Sequence, residues 1–205
     1  MTNPLLISSD LPAFSAIKPE HIEPAISQLL DEARSVVKQC LEATTDYTWN
    51  NLIEPIENVE DKLNKAWSPV SHLNSVANSD ELRLAYNACL PKLSEYGTEM
   101  GQNEALCSAY HTIAKRDDFT KLDKAQQKIV QNALRDFKLS GIDLDADKKQ
   151  RYKEISQELS RLASNYEENL LDATNAWSKH ITDVSELVGL PDSALAQAKS
   201  PRPIR

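Results

Sequence analysis

The stretch AISQLLDEARSVVKQCL, residues 25–41, decides the fold class. Its apolar residues recur every three or four positions, which is the spacing of one face of an α-helix. The pattern predicts an amphipathic helix from about residue 20 to 44. Pro19 and Pro24 fall near its start, and a proline inside the hydrogen-bonded ladder costs about 3 kcal/mol, so we expect its first turn to be separate. The apolar positions are Ile26, Leu29, Leu30, Ala33, Val36, Val37, Cys40 and Leu41.

A second periodic segment follows Thr48, whose hydroxyl is a favourable N-cap. Pro55 falls late enough in this segment to bend the helix or delay its start. Pro69 interrupts the pattern inside SPVSHLNSV, residues 68–76, so we expect a kink or a break there. The apolar positions of the segment are Leu52, Ile56, Val59, Leu63, Ala66, Trp67 and Val70.

The remainder of the chain continues the helical pattern. Acidic residues follow Ser79, which favours the start of a third helix. Shorter helices are predicted at about 103–115 and 123–139, the latter closed by Gly141. The longest periodic run extends from Asp145 to about residue 180, with one apolar face and one solvated face that alternates basic residues with Glu. Its apolar face comprises Tyr152, Ile155, Leu159, Leu162, Ala163, Tyr166, Leu170, Ala173, Thr174 and Trp177.

These patterns predict an all-α, elongated multi-helix domain of about six to eight helices, with long amphipathic helices and short connections. Only four residues are glycine, well below the usual share of roughly 7%, and no segment is typical of a hairpin or a βαβ unit. Residues 1–18, with Pro4 and Pro12, predict an extended arm that lies on the domain. Residues 19–199 form the predicted helical domain.

The composition excludes several classes of partner. The formal net charge of -8 disfavours nucleic acid, since no dense cluster of Lys and Arg reverses it locally. No run approaches the ~18 apolar residues of a membrane span, and the N-terminus lacks a basic, apolar signal pattern. The three cysteines, Cys40, Cys89 and Cys107, form no C-x-x-C pair and predict small apolar residues in a reducing compartment. We therefore expect a soluble, cytoplasmic protein.

The four histidines, His21, His72, His111 and His180, offer no motif for metal chemistry. None is followed by Glu, so a zinc-binding His-Glu-x-x-His helix is absent, and none has Glu three positions earlier, so a di-iron Glu-x-x-His site is absent too. No G-x-S-x-G, Walker A or G-x-G-x-x-G motif occurs, and no local signature of a catalytic cysteine surrounds any thiol. We assign no catalytic, cofactor-binding or metal-binding residue.

His72 lacks a visible chemical partner, and two interpretations of it remain. In the first, the side chain of His72 or Asn74 hydrogen-bonds to the backbone group that Pro69 leaves without a helical partner. Alternatively it contacts a peptide, since polar groups at helix breaks are open to ligands. The aromatic residues Trp67, Tyr86, Tyr166 and Trp177 lie on apolar stripes and are assigned to the core rather than to peptide contact.

Five collinear stretches resemble the N-terminal region of a known peptidase family. They are LPAFSAIKPEHIEPAI (11–26), SPVSHLNSV (68–76), ELRLAYNACLPKLSEY (81–96), QNALRDFKLSGIDL (131–144) and NLLDATNAWSKHITD (169–183). Together they look like bacterial oligopeptidase A, of the thimet oligopeptidase and neurolysin family of zinc metallopeptidases. The similarity spans about residues 1–199.

The resemblance implies a helical domain that forms one wall of a deep channel admitting short peptides. Zinc would be bound by a catalytic domain much later in the full chain, and this chain would be inert alone, with that catalytic domain as its partner. The family's zinc motif has no counterpart here, so no catalytic residue is carried over. Residues 200–205, with two prolines, depart from the family and are interpreted as a divergent tail at a truncation point.

A second hypothesis belongs to another class. A stand-alone helical module would bind peptides or a protein partner through the face that a channel wall normally turns inward, or would associate with itself, because a wall without its enclosure leaves apolar surface exposed.

Overall fold

The computed structural model describes residues 3–7 and 11–199 of the chain, except for the side chain of Val184. In this described part, seven α-helices account for most residues and no strand occurs, which confirms the all-α fold class. The helices are α1 Pro19–Ala43, α2 Glu54–Val76, α3 Asp80–Gly101, α4 Glu104–Ala114, α5 Lys124–Leu139, α6 Ala146–Ala176 and α7 Asp192–Lys199.

Two compact units divide the chain after Glu167. The first contains α1 to α5 and most of α6. The second, from Glu168, contains the end of α6, a turn of 3-10 helix at Val184–Leu187 and α7, with an ion pair between Lys179 and Glu186 (3.4 Å). The predicted tail at 200–205 lies outside the described residues.

Prolines do not interrupt α1 and α2, contrary to the expectation from sequence. Pro19 opens α1, and the helix continues through Pro24 without a separate first turn. Likewise α2 runs through Pro69 to Val76, so of the predicted kink or break within 68–76 the break does not occur. Pro24 is exposed, so the Glu20 carbonyl that it leaves without an intrahelical donor lies on the solvent side. Pro69 is buried, and its ring adds apolar packing that offsets the lost hydrogen bond.

Local capping explains where the other helices begin and end. Thr48 caps a π-helical turn, Trp49–Ile53, that leads into α2, so Pro55 does delay the α-helix proper. Ser79 accepts a hydrogen bond from the Leu82 amide at the start of α3, as predicted (3.2 Å). Gly141 follows α5 with φ +81°, the left-handed conformation that glycine adopts without strain.

Two apolar cores stabilise the first unit. The first core lies among α1, α2 and α3, and the second lies among the C-terminal part of α1, the turn before α2, α4 and α5. Side chains of α1 enter both cores, and Met100 at the end of α3 contacts both. The most completely buried large residues are Ile22, Ile26, Leu30, Leu52, Ile53, Ile113, Val70 and Val130.

The described part of the N-terminal arm contacts α1 and α2. Leu5 is buried in the first core, and the side-chain amide of Asn3 donates to the carbonyl of His21 (2.7 Å). Single turns of 3-10 helix at Pro4–Leu6 and Phe14–Ala16 replace part of the predicted extended backbone. The arm is therefore anchored at its start and forms one side of the groove described below.

The helix α6 turns a polar face toward the rest of the first unit. Ser164 is its one buried residue with a described side chain, and no apolar side chain of α6 joins either core among the described residues. Tyr166 and Trp177 are 70% and 73% exposed, so their assignment to the core is wrong. The assignment of Trp67 and Tyr86 is confirmed: their rings stack with centroids 4.8 Å apart at the edge of the first core.

The apolar face predicted for this helix is real, but it is not covered. The sequence determines the helical spacing of these apolar residues, whereas their burial requires another protein surface that packs against them. None of the described helices is both long enough and apolar enough to cross a lipid bilayer.

Candidate functional site

A groove of about 720 Å³ opens between the N-terminal arm and the helices α1 and α2. The arm contributes an apolar wall that includes Leu6, Ile7 and Phe14, and α1 adds Leu29. The opposite wall comes from α2, where Pro69 lies beside polar residues. A volume of this size, with an apolar arm wall facing several polar and charged side chains, falls within the usual range for small-molecule and peptide sites.

His72 lies on the rim of this groove. Its side chain is exposed, and its ring contacts that of Phe14 with centroids 5.6 Å apart and planes inclined by 55°. Asn74 is buried and receives a hydrogen bond from the side-chain amide of Asn78 (2.9 Å). Neither contact satisfies the Lys65 carbonyl that Pro69 leaves free, so the predicted anchoring role is not what these two side chains do in the described structure.

The charged residues of the groove form ordinary surface ion pairs. Lys62 of α2 contacts Glu32 of α1 (2.6 Å), and Lys65 contacts Asp61 one turn away (2.6 Å). Exposed pairs of this kind stabilise by at most about 1 kcal/mol, and their side chains can turn toward a ligand. The groove can therefore hold an apolar group and pair with a carboxylate.

Nucleophilic catalysis finds little support in the groove. Ser68 and His72 share a face of α2, four residues apart, and both line the groove. Activation of a hydroxyl requires a hydrogen bond to the base, and none joins these two side chains in the described structure. The described lining of the groove, with apolar and charged side chains facing each other, is suited to binding.

The cysteines are also poorly placed for chemistry. Cys89 is fully buried in the first core, where burial raises the pKa of its thiol to about 11. Burial likewise raises the pKa of Cys40 and Cys107, and all three thiols are free. Since the thiolate is the reactive form, these residues remain protonated at neutral pH and serve as small apolar side chains.

A second polar cluster lies at the edge of the first core. The Tyr96 hydroxyl donates to the Glu60 carboxylate, and the Arg34 guanidinium lies 5.5 Å from the centre of the Tyr96 ring while its Nε contacts Glu99 (2.7 Å). Burial, and then this hydrogen bond, raise the pKa of Tyr96, so its hydroxyl stays a donor at all ordinary pH values. The cluster ties α1, α2 and α3 together.

The histidines are dispersed over the fold. His21 accepts a hydrogen bond from the Lys18 amide at the start of α1 (3.1 Å), His111 lies in the last turn of α4, and His180 lies in the second unit. Within residues 3–7 and 11–199, no three His, Cys, Asp or Glu side chains lie close enough to hold a metal ion. The described residues therefore do not fit a zinc centre.

Sequence reasoning missed the groove, because its walls come from distant segments. The pairing of Phe14 with His72 joins the arm to α2, and no local pattern indicates such a contact. The prolines and apolar residues of 1–18 were the available signal that the arm covers another surface.

Comparison with known proteins identifies relatives over nearly the whole chain. A family profile described as "Neurolysin/Thimet oligopeptidase, N-terminal domain" matches residues 26–149. Oligopeptidase A of Escherichia coli and that of Salmonella typhimurium are each 52% identical to the chain over 200 residues, which is 98% of this chain and 29% of theirs. Probable cytosolic oligopeptidase A of Arabidopsis thaliana is 36% identical over 95% of this chain. The chain thus spans less than a third of the length of these relatives.

Proposed function

Because the chain belongs to the family of neurolysin and thimet oligopeptidase N-terminal domains, we propose that it is the helical N-terminal domain of an oligopeptidase A-like zinc metallopeptidase. The observation that carries this proposal is the 52% identity over 98% of the chain, matched to only 29% of each bacterial relative. Its role would be to form one wall of the channel that admits short peptides.

We propose further that the chain has no peptidase activity by itself. The catalytic domain, its partner, would supply the zinc ion, which polarises the scissile carbonyl and acidifies a bound water. In support, none of the four histidines stands in a His-Glu-x-x-His motif anywhere in the 205 residues. A cytoplasmic location is part of the same proposal, and the word cytosolic in the name of the plant relative supports it.

A quenched-fluorescent peptide assay with added zinc tests both parts. The purified chain is compared with a chimera in which it replaces the matched 200 residues of Escherichia coli oligopeptidase A. We expect no hydrolysis by the chain and chelator-sensitive hydrolysis by the chimera. Chelator-sensitive activity of the chain alone would contradict the inert role, and a folded but inactive chimera would contradict the assignment to this enzyme.

The groove favours a second candidate function, a module that binds peptides by itself. Its apolar arm wall, with Phe14 and Ile7, faces the lysines of α2, an arrangement suited to an apolar residue beside a peptide carboxylate. Titration of the chain with a fluorescent peptide ending in Phe would test it, with the C-terminal amide of that peptide as the control. Equal weak binding of the acid and the amide would exclude a carboxylate-dependent site.

A further inference from the structure

The attachment of α6 to the first unit is polar. Lys149 contacts Glu104 of α4 (2.7 Å), Lys153 contacts Glu95 of α3 (2.5 Å), and the Ser164 hydroxyl donates to the side-chain oxygen of Asn87 (2.9 Å). An amphipathic helix ordinarily buries its apolar face and leaves its charges in water. In α6 this relation is reversed within the unit.

The opposite face of α6 carries a continuous apolar row. Ile155, Leu159, Leu162 and Tyr166 follow one another at intervals of three and four residues, and we call this row the α6 stripe. Their exposed fractions are 43%, 61%, 49% and 70%, respectively. Single exposed apolar residues are normal on protein surfaces, but a contiguous row of large ones marks an interaction site.

The charged residues beside the stripe indicate what kind of partner surface fits it. Arg151 pairs with Glu154 (3.1 Å), and Arg161 pairs with Glu158 (2.5 Å), both within the helix. Each pair joins one positive and one negative side chain. The edge of the stripe therefore has no net charge that would attract a charged partner. The surface that fits the stripe is therefore apolar, as in a helix face, rather than a polyanion or a charged peptide.

We propose that the α6 stripe docks against an apolar face of the peptidase portion that accompanies this domain in its relatives. The inference rests on the proposed function. The relatives are more than three times as long as the matched segment, which is 29% of their length, so they contain ample further surface. A partner in the same polypeptide acts at an effective concentration in the millimolar range, far above that of a second copy, so it would occupy the stripe first.

The test compares the purified chain with the chimera that replaces the matched 200 residues of Escherichia coli oligopeptidase A. The double variant Leu159→Glu/Leu162→Glu is made in both backgrounds. Leu84→Glu is the matched control, because Leu84 is a leucine in the second turn of α3 that is 74% exposed and lies outside the stripe. Thermal midpoints, peptide hydrolysis and sedimentation are measured for each protein.

We expect the double variant to leave the midpoint of the isolated chain within about 2 °C, and to lower that of the chimera by about 5 °C or more together with its activity. Leu84→Glu should be nearly neutral in both. An equal loss in the isolated chain would overturn the proposal, because the stripe would then be packed within its own unit. Loss of a dimer of the isolated chain would also overturn it, because a second copy would be the occupant.

Failure of the docking and failure of the proposed function give different results. An active chimera that tolerates the double variant would overturn the docking and leave the function intact. A folded, inactive chimera whose midpoint still falls in the double variant would support the docking and contradict the function.

A second test avoids placing a charge in the proposed interface. It measures the solvent accessibility of a cysteine in Leu162→Cys, with Leu84→Cys as the control. Maleimide modification located by mass spectrometry should be fast at both positions in the isolated chain. In the chimera it should be slowed at least about tenfold at position 162 only. Equal rates at position 162 in the two backgrounds would overturn the docking.

Discussion

Helices α1 and α6 carry apolar stripes of the same helical spacing, yet the first is buried and the second is exposed. In α1, Ile22, Ile26 and Leu30 lie at or near zero exposure among α2 and α3. In α6, Leu159 and Tyr166 are mostly exposed. Periodicity therefore determines which face of a helix is apolar, whereas burial requires a matching surface elsewhere in the fold.

The contacts beneath each helix account for the difference. Aliphatic side chains of α1 meet aliphatic side chains of α2 and α3, so packing stabilises the assembly. Under α6 the contacts are ion pairs and a hydroxyl bond, of which each stabilises only modestly. This contrast between α1 and α6 can be tested in the 205-residue chain.

The largest effect is expected from Leu30→Ala in the first core. The side chain is 1% exposed, and truncation leaves a cavity, so the free energy of unfolding should fall by about 3 kcal/mol. Leu159→Ala, the same substitution on the α6 stripe, should change it by less than about 0.5 kcal/mol. Urea denaturation followed by circular dichroism measures both. Comparable losses of unfolding free energy in the two variants would show that the α6 stripe is packed as tightly as the face of α1.

An intermediate effect is expected from Tyr96→Phe. This substitution removes the donor to the Glu60 carboxylate and should lower the free energy of unfolding by about 1–2 kcal/mol. Glu60→Gln keeps an acceptor oxygen and should cost less. Lys153→Met, which removes an exposed ion pair beneath α6, should cost less than about 1 kcal/mol. The same urea titration applies, and a neutral Tyr96→Phe would remove this polar cluster from the stabilising contacts of the core.

The smallest effect is a local response to acid. Hydrogen bonds from Lys153 and Lys149 lower the pKa of Glu95 and Glu104, respectively. A lowered folded pKa gives stability that is present above the unfolded value of about 4.3 and is lost as the pH falls through the folded value. Below about pH 4, hydrogen exchange should therefore lose protection in α6 between residues 149 and 164 while α1 stays protected.

The control for this acid response is Lys149→Met/Lys153→Met, which should weaken the pH dependence of α6 because both lysine partners are gone. Exchange rates are corrected for the intrinsic effect of pH on the amide. Simultaneous loss of protection in α1 and α6 would show that the two helices open as one unit.

Local chemistry in the sequence predicted much of the fold. Ser79 as the cap of α3 and Gly141 after α5 were identified because a cap involves only neighbouring residues. Pro24 and Pro69 do not end their helices as predicted, and the reason is tertiary: the first is exposed to solvent and the second is buried. Whether a proline breaks a helix depends on tertiary packing as well as on its position.

The candidate groove was beyond reach of sequence reasoning for a related reason. The ring of Phe14 meets that of His72 only after the chain has run along α1 and turned back along α2. The covered or uncovered state of α6 likewise depends on surfaces that periodicity does not describe. The resemblance to oligopeptidase A, by contrast, rested on collinear stretches of sequence, and the comparisons confirm it.

The position of α1 in both apolar cores has a consequence for cooperativity. Ile26 and Leu30 belong to the first core, Val37 of the same helix belongs to the second, and Met100 contacts both. Neither core can melt without removing a wall from the other, so the free energies of the two are coupled through one rigid element. The α1 to α5 assembly should thus behave as a single folding unit. A destabilising substitution at one end of α1 would lower the stability of both cores.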